Sequence, residues 1–359
     1  MGLTFSVEAT QHPTTSERLA EILAAPGFGK SFTDHMVTIE WASDAGWHDA
    51  RVRPYGPLSL DPATHVFHYG QAIFEGFKAY RQPDGTISTF RPGFNGERFN
   101  RSAQRLALPE LAVEDFVAAS DHLVAQDADW VPRSDDASLY LRPFMMATEV
   151  GLGVKPASHV TFLVIASPAG PYFASGAKQV TIWLSEDYTR AAPGGTGAAK
   201  CGGNYAASLV AQQEGIANGC EQVLFLDAVE RRWVEELGGM NLWFVQDDGT
   251  MVTPELTGTI LEGGTRDALK VLAGELGHEV EERRVDIDEW RKGVDTGRIT
   301  EVFACGTAAV IASVGTLKWH GGAVTLPTET PVATALRAAL VDLQYGRKPD
   351  PHGWMHKVL

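Results

Sequence analysis

The alternation of apolar and polar positions predicts short strands and amphipathic helices along the whole chain. Alternating or continuous apolar runs predict strands at 32–41, 87–90, 138–145, 160–166 and 180–185. Apolar side chains at helical spacing predict helices at 95–106, 113–127, 206–217 and 331–343. The pattern therefore indicates a globular protein that contains both kinds of element.

A predicted strand at 234–245 carries two adjacent carboxylates, Glu235 and Glu236. Successive side chains of a strand point to opposite faces, so we expect only one of them to point inward. A solvated strand carboxylate is the alternative for each. A later helix opens at Gly263-Gly264-Thr265, with Thr265 as the expected N-cap. Its glycines leave the backbone accessible either to a phosphate or to a plain cap.

The stretch 168–178, Pro-Ala-Gly-Pro-Tyr-Phe-Ala-Ser-Gly-Ala-Lys, has the composition of a linker. We place a domain boundary there. The sequence is thus divided into an N-terminal domain at 1–167, an interdomain linker at 168–178 and a C-terminal domain at 179–359.

Composition excludes several classes of function. The chain has 359 residues and a formal charge of −15, which argues against nucleic acid or an anionic membrane as a partner. No apolar run is long enough to span a membrane and no signal peptide is visible, so we expect a cytoplasmic protein. Its 3 cysteines form no Cys-x-x-Cys pair, so neither a disulfide framework nor a metal site is expected.

One lysine, Lys200, stands in the small-residue stretch Gly-Gly-Thr-Gly-Ala-Ala-Lys-Cys-Gly-Gly-Asn-Tyr at 194–205. An amine that attacks a carbonyl must be partly unprotonated, which uncharged neighbours favour, so Schiff-base chemistry is one interpretation. A solvated lysine in a structural loop is the other. A phosphate-binding P-loop is excluded because Ala199 and Cys201 replace its Gly and Ser/Thr, and the dinucleotide fingerprint lacks its third glycine.

Three features suggest a common ligand: a lysine for an aldehyde, an arginine plus a glycine-opened helix for a phosphate, and an inward carboxylate for a ring nitrogen. Pyridoxal 5′-phosphate has all three groups. Its chemistry needs a Schiff-base lysine and an acid that keeps the pyridine nitrogen protonated.

Ordered segments of the sequence carry a resemblance to a known family. They are Phe-Gly-Lys-Ser-Phe-Thr-Asp-His-Met at 28–36, His-Tyr-Gly-Gln-Ala-Ile-Phe-Glu-Gly at 68–76, Phe-Arg-Pro at 90–92, Ser-Leu-Tyr-Leu-Arg-Pro at 138–143, Lys-Cys-Gly-Gly-Asn-Tyr at 200–205, Glu-Leu-Gly-Gly-Met-Asn at 236–241 and Glu-Val-Phe-Ala-Cys-Gly-Thr-Ala at 301–308. Together they resemble the branched-chain amino acid aminotransferases of fold type IV. A redox Cys-x-x-Cys found in some family members is replaced here by Ala309-Val310-Ile311-Ala312, so Cys201 and Cys305 are interpreted as small packing residues.

The resemblance implies a role for each site residue. Lys200 would bond covalently to the cofactor and move the substrate proton, Glu236 rather than Glu235 would pair with the ring nitrogen, and Glu235 would then point outward. The remaining cofactor contacts would be Tyr205 to the ring oxygen, and Arg98, Gly264, Thr265 and Thr307 to the phosphate. Substrate contacts would be Gly239, Met240 and Ala308 for the α-carboxylate, Phe28, Tyr69, Phe74, Tyr140 and Tyr172 for the side chain, and Arg142 for the distal carboxylate of glutamate.

The resemblance also implies an α/β (α+β) fold of two domains, a smaller N-terminal α/β domain and a larger barrel-like C-terminal domain. The implied reaction moves the amino group of leucine, isoleucine or valine to 2-oxoglutarate, and a homodimer is expected. The alternatives are another fold type IV enzyme, such as a D-amino acid aminotransferase or an aminodeoxychorismate lyase, and a non-catalytic binding protein on the same fold. Intact Lys200, Glu236 and Tyr205 argue against the last.

Overall fold

The computed structural model describes residues 2–134, 137–170 and 179–359. The chain divides into two compact units. The first comprises Met1–Tyr172, Ala199–Gly202 and Asp342–Leu359, and the second comprises Phe173–Ala198 and Gly203–Val341.

The helices of the described residues follow the predicted pattern closely. They are α1 (Ser16–Ala24), α2 (His65–Tyr69), α3 (Pro92–Arg105), α4 (Val113–Gln126), α5 (Gly202–Ala206), α6 (Leu209–Ala217), α7 (Gly264–Glu275), α8 (Ile287–Thr296) and α9 (Pro331–Gln344), with a 3₁₀ turn at Ala128–Trp130. α8 shows how such a helix begins and ends. Asp286 caps its first turn by accepting the Asp288 N–H, and Gly297 ends it in the left-handed conformation.

Both units contain a many-stranded sheet. In the first unit they are β1 (Ser6–Val7), β2 (His35–Ala42), β3 (Gly46–Pro54), β4 (Ala72–Phe74), β5 (Phe77–Arg81), β6 (Ile87–Phe90), β7 (Ser138–Ala147) and β8 (His159–Ala169). In the second they are β9 (Val180–Leu184), β10 (Gln222–Leu226), β11 (Val234–Leu237), β12 (Asn241–Gln246), β13 (Met251–Thr253), β14 (Val280–Glu282), β15 (Ile299–Gly306), β16 (Val310–Trp319) and β17 (Gly322–Thr325). The last strand, β18 (Met355–Lys357), belongs to the first unit.

The first unit is a single sheet covered by two helices. Its strands run in the order β1-β3-β2-β8-β7-β5-β6-β18, and β4 pairs with β7. Phe99 of α3 and Phe116 of α4 pack against Phe162 of β8, with ring centroids 5.5 and 6.0 Å from that of Phe162. This aromatic cluster fixes α3, and therefore the position of Arg98 beside Phe99.

The second unit contains a closed six-strand barrel. Its strands follow the order β11-β10-β9-β16-β15-β12, and pairing of Glu236 with Asn241 joins β12 back to β11. Apolar side chains such as Leu224, Leu242 and Val302 fill its core and are completely buried. The mixed α/β fold with a barrel in the C-terminal half is thereby confirmed.

Two short segments leave the second half of the chain and join the first unit. Met355 of β18 pairs with Phe90 of β6, and Cys201 forms a β-bridge with Ile73 of β4. With these segments, the first unit holds more of the chain than the second. The predicted boundaries, 1–167 and 179–359, do not include these two segments in the first unit. Composition does not reveal such pairing, because the partners lie far apart in sequence.

Three local predictions are wrong. The strand predicted at 234–245 is two strands, because the chain turns at Gly238–Met240, where the Leu237 N–H donates to the Met240 carbonyl over 3.0 Å. The helix predicted at 206–217 begins only at Leu209 and is preceded by the short α5. Thr265 is not the N-cap of α7, because Gly263 occupies that position and Thr265 lies inside the first turn.

A carboxylate of the barrel fixes the start of α9 and gives a stability prediction. Glu301 of β15 is buried and accepts the Val332 and Ala333 N–H groups, each over 2.9 Å. Glu301→Gln replaces one acceptor with a donor that faces an N–H, so we expect a loss of about 1–3 kcal/mol. Thermal unfolding measures this loss. The exposed Glu329→Gln serves as the control, and equal midpoints for both variants would show that the carboxylate does not anchor the helix.

Candidate functional site

Backbone hydrogen bonds on both sides of the residue hold Lys200 in the first unit. Its N–H donates to Ser102 Oγ over 2.9 Å, and its carbonyl accepts the Phe74 N–H over 3.0 Å. Its ammonium Nζ lies 4.9 Å from the centroid of the Phe74 ring. The predicted lysine is therefore fixed beside a predicted aromatic residue.

A buried ion pair lies in the same unit. Arg98 Nε and Nη2 donate to the two oxygens of Glu75 over 2.7 and 2.8 Å, and Asn95 Nδ2 donates to Glu75 Oε2 over 2.7 Å. Glu75 is fully buried, and burial alone would raise the pKa of its carboxyl. The charges of Arg98 and Lys200 and these hydrogen bonds outweigh burial, so that pKa is lowered.

This ion pair changes two interpretations. The composition of its loop suggested uncharged surroundings for Lys200. A charged group is close enough to interact, because the charge of Lys200 lowers the pKa of Glu75. The sequence gives Glu75 no role beyond its place in the motif 68–76, but in the structure it binds Arg98, the arginine predicted to hold a phosphate. A guanidinium has five N–H donors in a fixed fork, so this pairing orients Arg98 while employing only part of its donor set.

Aromatic residues of the predicted side-chain pocket cluster around Arg142. The centroid of Phe28 lies 5.1 Å from that of Tyr140 in an edge-on arrangement, and the Arg142 guanidinium lies 4.9 Å from the centroid of Phe74. Arg142 Nη2 also donates to Tyr140 Oη over 3.1 Å. Tyr140 and Arg142 share a face of β7 because they are two residues apart. A Cβ at Gly76 would lie 1.9 Å from Tyr140 Oη, so only glycine permits this approach.

The remaining two members of the predicted pocket are Tyr69 and Tyr172. Tyr69 ends α2, where it is 39% exposed and its ring packs edge-on against His65 at 5.5 Å. Tyr172 lies outside the described residues.

In the second unit, a buried carboxylate is held by several donors. Glu236 Oε1 pairs with Arg190 Nη1 and accepts the Leu261 N–H, both over 2.9 Å, while Oε2 accepts Asn241 Nδ2 over 3.3 Å. Glu236 is only 1% exposed. A buried carboxylate is stable only when paired and hydrogen-bonded, and this one is both.

Arg190 is the residue that the sequence analysis missed. Besides pairing with Glu236, its Nη1 donates to the Thr259 carbonyl over 2.8 Å. The loop after Arg190 comes so close to Thr259 that a Cβ at Gly197 would lie 2.3 Å from the Thr259 carbonyl oxygen. The absence of a side chain at Gly197 thus permits this close approach of the loop, and the approach brings the Arg190 guanidinium to the Glu236 carboxylate.

The start of α7 lies beside the same carboxylate. A Cβ on Gly263, the N-cap, would lie 2.0 Å from Asn241 Oδ1, and Asn241 Nδ2 bonds to Glu236 and to the Leu261 carbonyl. Asn241 therefore connects the predicted ring acid to the N-cap of the helix whose first turn holds the predicted phosphate residues Gly264 and Thr265. The positive end of the helix dipole favours an anion at this terminus.

The turn between β11 and β12 completes this cluster. A Cβ on Gly239 would lie 3.6 Å from Tyr205 Cε1, and a Cβ on Gly306 would lie 3.4 Å from Met240 Cγ. Gly306 is the last residue of β15, directly before the predicted Thr307 and Ala308. Tyr205, the Gly239–Met240 turn and the end of β15 are thus brought together within the second unit.

The prediction that Glu235 points outward to solvent is wrong. Glu235 and Glu236 do point to opposite faces of β11, but Glu235 is only 4% exposed. Thr259 Oγ1 donates a short hydrogen bond to Glu235 Oε1. Strand alternation was correct, but the face away from Glu236 is covered by the loop that contains Thr259.

The three cysteines are free and buried, and burial agrees with the packing interpretation of Cys201 and Cys305. Burial raises the pKa of the Cys305 thiol to about 12, so this thiol stays protonated.

The groups present fit pyridoxal 5′-phosphate. The cofactor needs a primary amine, an acid for its ring nitrogen and an anion site for its phosphate. The structure offers Lys200 with a fixed backbone, Glu236 as a buried acid held by donors, and the glycine-capped start of α7.

Comparisons with known proteins give a consistent picture. Residues 72–317 match the model of the family described as amino-transferase class IV. The chain is 59% identical to a probable branched-chain-amino-acid aminotransferase of Streptomyces coelicolor, covering 99% of both chains, and 54% identical to a branched-chain-amino-acid aminotransferase of Mycolicibacterium smegmatis, covering 99% of this chain and 98% of that one. A solved structure of the branched-chain amino acid aminotransferase from Thermobaculum terrenum in its PLP form is 25% identical, with a TM-score of 0.73 over 91% of this chain and 98% of that chain.

The buried ion pair of the first unit gives a prediction of stability. Glu75→Gln leaves the Arg98 guanidinium buried without its carboxylate, so we expect a loss of about 3–5 kcal/mol in the free energy of unfolding. The exposed Glu97→Gln, on the same helix as Arg98, should change it by about 0.5 kcal/mol or less. Urea unfolding followed by fluorescence measures both.

The pH dependence of the free energy of unfolding of the same variant tests the direction of the Glu75 pKa shift. Because the pKa of Glu75 is lowered from its ordinary 4.5, its contribution is complete above that value and is lost as pH falls through the lowered pKa. The gap between wild type and Glu75→Gln should therefore narrow in acid. A gap that stays constant or widens would contradict the ion pair.

Proposed function

Because the chain belongs to the amino-transferase class IV family, we propose that it transfers the amino group of leucine, isoleucine or valine to 2-oxoglutarate. It is a pyridoxal 5′-phosphate-dependent branched-chain amino acid aminotransferase. The structural observation that carries the proposal is the buried Glu236 carboxylate paired with Arg190, because an acid held in this way can keep a pyridine nitrogen protonated.

Lys200 has two tasks in this proposal. The cofactor, when bound, supplies an aldehyde for amine exchange and a ring that withdraws electrons from the substrate carbon. Lys200 Nζ would hold the cofactor covalently through its aldehyde carbon, with loss of water, and as a free amine it would carry the proton that leaves the substrate Cα. The backbone bonds to Ser102 and Phe74 support this role because they fix the origin of the side chain.

Other polar groups hold the cofactor in place. Glu236 would accept the N–H of the cofactor ring, and the Arg190 guanidinium and the Leu261 amide, which bind this carboxylate, favour its ionised form. Tyr205 donates to the ring oxygen. The phosphate is assigned to Arg98, Thr307, Gly264 and Thr265.

Substrate recognition combines aromatic and charged groups. The rings of Phe28, Phe74 and Tyr140 form an apolar wall, and each buried CH₂ of a branched side chain contributes about 0.8 kcal/mol. Arg142 pairs with the distal carboxylate of glutamate, and its contacts with Phe74 and Tyr140 shield its charge when leucine is bound. Gly239, Met240 and Ala308 hold the α-carboxylate, and Tyr69 and Tyr172 complete the list of pocket residues.

A substrate panel tests the reaction. The holoprotein should transfer amino groups from L-leucine, L-isoleucine and L-valine to 2-oxoglutarate, and Lys200→Ala should lower the rate at least about 10³-fold because the proton carrier is lost. The exposed Lys30→Ala is the matched control and should retain full activity. Turnover of D-alanine without turnover of L-leucine would instead identify a D-amino acid aminotransferase.

We also propose that the protein is a homodimer that works in the cytoplasm. An apolar patch of the first unit supports the dimer: Phe67, Leu152 and Val154 are 60%, 69% and 83% exposed. These residues lie together because Thr64 forms a β-bridge with Val150. Exposed apolar patches of this kind mark protein interfaces. Free buried cysteines suit a reducing compartment, and no helix in the described part of the chain is long and apolar enough to cross a membrane.

The oligomeric state can be tested at this patch. Val154→Asp puts a charge in the proposed interface, so it should shift the protein from dimer towards monomer in light scattering coupled to size exclusion. Ile216→Asp changes a side chain that is 71% exposed on α6 and should leave the dimer intact. A monomeric wild type, or dimers in both variants, would contradict the assignment of this patch.

A further inference from the structure

Asn241 lies between the predicted ring acid and the segment that leads into α7. It is the first residue of β12, it is buried, and its backbone pairs with Glu236 of β11. Its side-chain Nδ2 donates to two different acceptors, Glu236 Oε2 over 3.3 Å and the Leu261 carbonyl over 2.9 Å. Because both acceptors are oxygens, they fix the orientation of the side-chain amide and direct Oδ1 away from them.

Leu261 is held to this pair through both of its backbone groups. Its N–H donates to Glu236 Oε1 over 2.9 Å, while its carbonyl accepts Asn241 Nδ2. Glu236, Asn241 and the Leu261 backbone therefore close a ring of hydrogen bonds. Each member of the ring takes part in two of these bonds, so displacing any one member breaks both. The ring thus holds the carboxylate at a fixed position relative to the chain at residue 261.

The N-cap of α7, Gly263, lies against the other end of the same amide. A Cβ on Gly263 would lie 2.0 Å from Asn241 Oδ1 and 3.2 Å from Asn241 Cγ. The backbone of Gly263, with φ −79° and ψ 126°, has a conformation that other residues adopt readily. The space beside Asn241, rather than the backbone conformation, therefore requires a glycine at this position. Asn241 thus contacts the carboxylate through Nδ2 and the start of the helix through Oδ1.

The separation of these two features matters for binding of the proposed cofactor. In pyridoxal 5′-phosphate, the ring nitrogen and the phosphate belong to one small molecule with few rotatable bonds, so the distance between them varies little. Two anchors at the matching separation bind such a molecule much more tightly than either anchor alone, because the second contact is then intramolecular. This gain is lost when both anchors cannot be engaged together.

We propose that Asn241 is a positioning residue that fixes the separation between Glu236 and the start of α7, and thereby lets both anchors hold pyridoxal 5′-phosphate at once. This role rests on the proposed function, which assigns Glu236 to the ring nitrogen and the start of α7 to the phosphate. Glu236, Asn241 and α7 all belong to the second unit. Asn241 acts on the acid and on the helix, and raises cofactor affinity without touching the cofactor.

Three ligands separate this role from a general structural one. Pyridoxal 5′-phosphate engages both anchors, pyridoxal engages the ring anchor, and inorganic phosphate engages the phosphate anchor. Equilibrium dialysis of the holoprotein gives the dissociation constant of pyridoxal 5′-phosphate, and dialysis of the protein charged with pyridoxal gives that of pyridoxal. Titration of the pyridoxal-charged protein with phosphate gives the third constant.

The three constants are compared between wild type and Asn241→Ala. We expect the loss of affinity for pyridoxal 5′-phosphate to exceed the product of the losses for pyridoxal and phosphate by about tenfold, because the second contact is no longer favoured by the first. Gln246→Ala is the matched control, since it removes another buried amide from the opposite end of β12. In this control, the loss for pyridoxal 5′-phosphate should equal the product of the other two.

Gly263→Ala changes the same separation from the side of the helix. The added methyl group displaces the start of α7 from Asn241 Oδ1, so this variant should show the same excess loss for pyridoxal 5′-phosphate. The excess caused by Gly263→Ala should disappear in the Asn241→Ala background, where the amide is absent. If Asn241→Ala fails to fold, Gly263→Ala alone decides, because an excess loss supports the role of Asn241 and its absence contradicts it.

The outcome also separates this role from the proposed function. The role of Asn241 is ruled out if wild type binds pyridoxal 5′-phosphate and transaminates L-leucine, but the losses in Asn241→Ala simply multiply. Equal losses for pyridoxal 5′-phosphate and pyridoxal, with phosphate binding unchanged, are one such result, and they would show that Asn241 supports the acid alone. A wild type that binds no pyridoxal 5′-phosphate would instead contradict the proposed function, and the role of Asn241 with it.

Discussion

A buried carboxylate that must stay ionised is the constraint on which the second unit depends. Glu236 is removed from water at the end of β11, and this costs several kcal/mol unless charge and hydrogen bonds compensate. Arg190 and the Leu261 amide provide that compensation. Arg190 and Leu261 lie on two loops outside β11, so the barrel must hold both loops next to the end of this strand. The close approach of Gly197 to Thr259 and of Gly263 to Asn241 follows from this requirement.

The first unit also has to compensate charges that are removed from water, and it does so with a different ion pair. Glu75 and Arg98 bury opposite charges beneath the segment that carries Lys200, and the Lys200 charge also acts on Glu75. The lysine segment joins this unit through the Ile73–Cys201 bridge although it follows the start of the second unit in sequence. Lys200 and Glu236, the proposed amine and the proposed ring acid, therefore belong to different units, each with its own buried ion pair.

Much of the fold could be predicted from the sequence, and the assignments of the site residues stay predictions. Helical spacing gave α4 nearly to the residue, and strand alternation correctly separated Glu235 from Glu236. The predicted roles of Lys200, Glu236 and Tyr205 rest on short contiguous motifs of the sequence. Asn241 and Glu75 also belong to the motifs of the resemblance. Their position in these motifs was the signal that they bind other polar residues of the site.

Other features depended on contacts between distant segments. Arg190 has no motif of its own and reaches Glu236 only because two loops pack together. Periodicity could not place the turn at Gly238–Met240, because Leu237 before the turn and Leu242 after it both fit the pattern of one strand. The burial of Glu235 also depends on a distant segment. Strand alternation predicts which face of β11 a side chain occupies, but not which part of the chain covers that face.

Reduction of the holoprotein with borohydride, followed by peptide mapping, tests the central claim most directly. The account predicts that the reduced cofactor is found on the peptide that contains Lys200, and on no other lysine of the chain. A cofactor adduct on a different lysine, or a protein that takes up pyridoxal 5′-phosphate without any reducible bond, would contradict it.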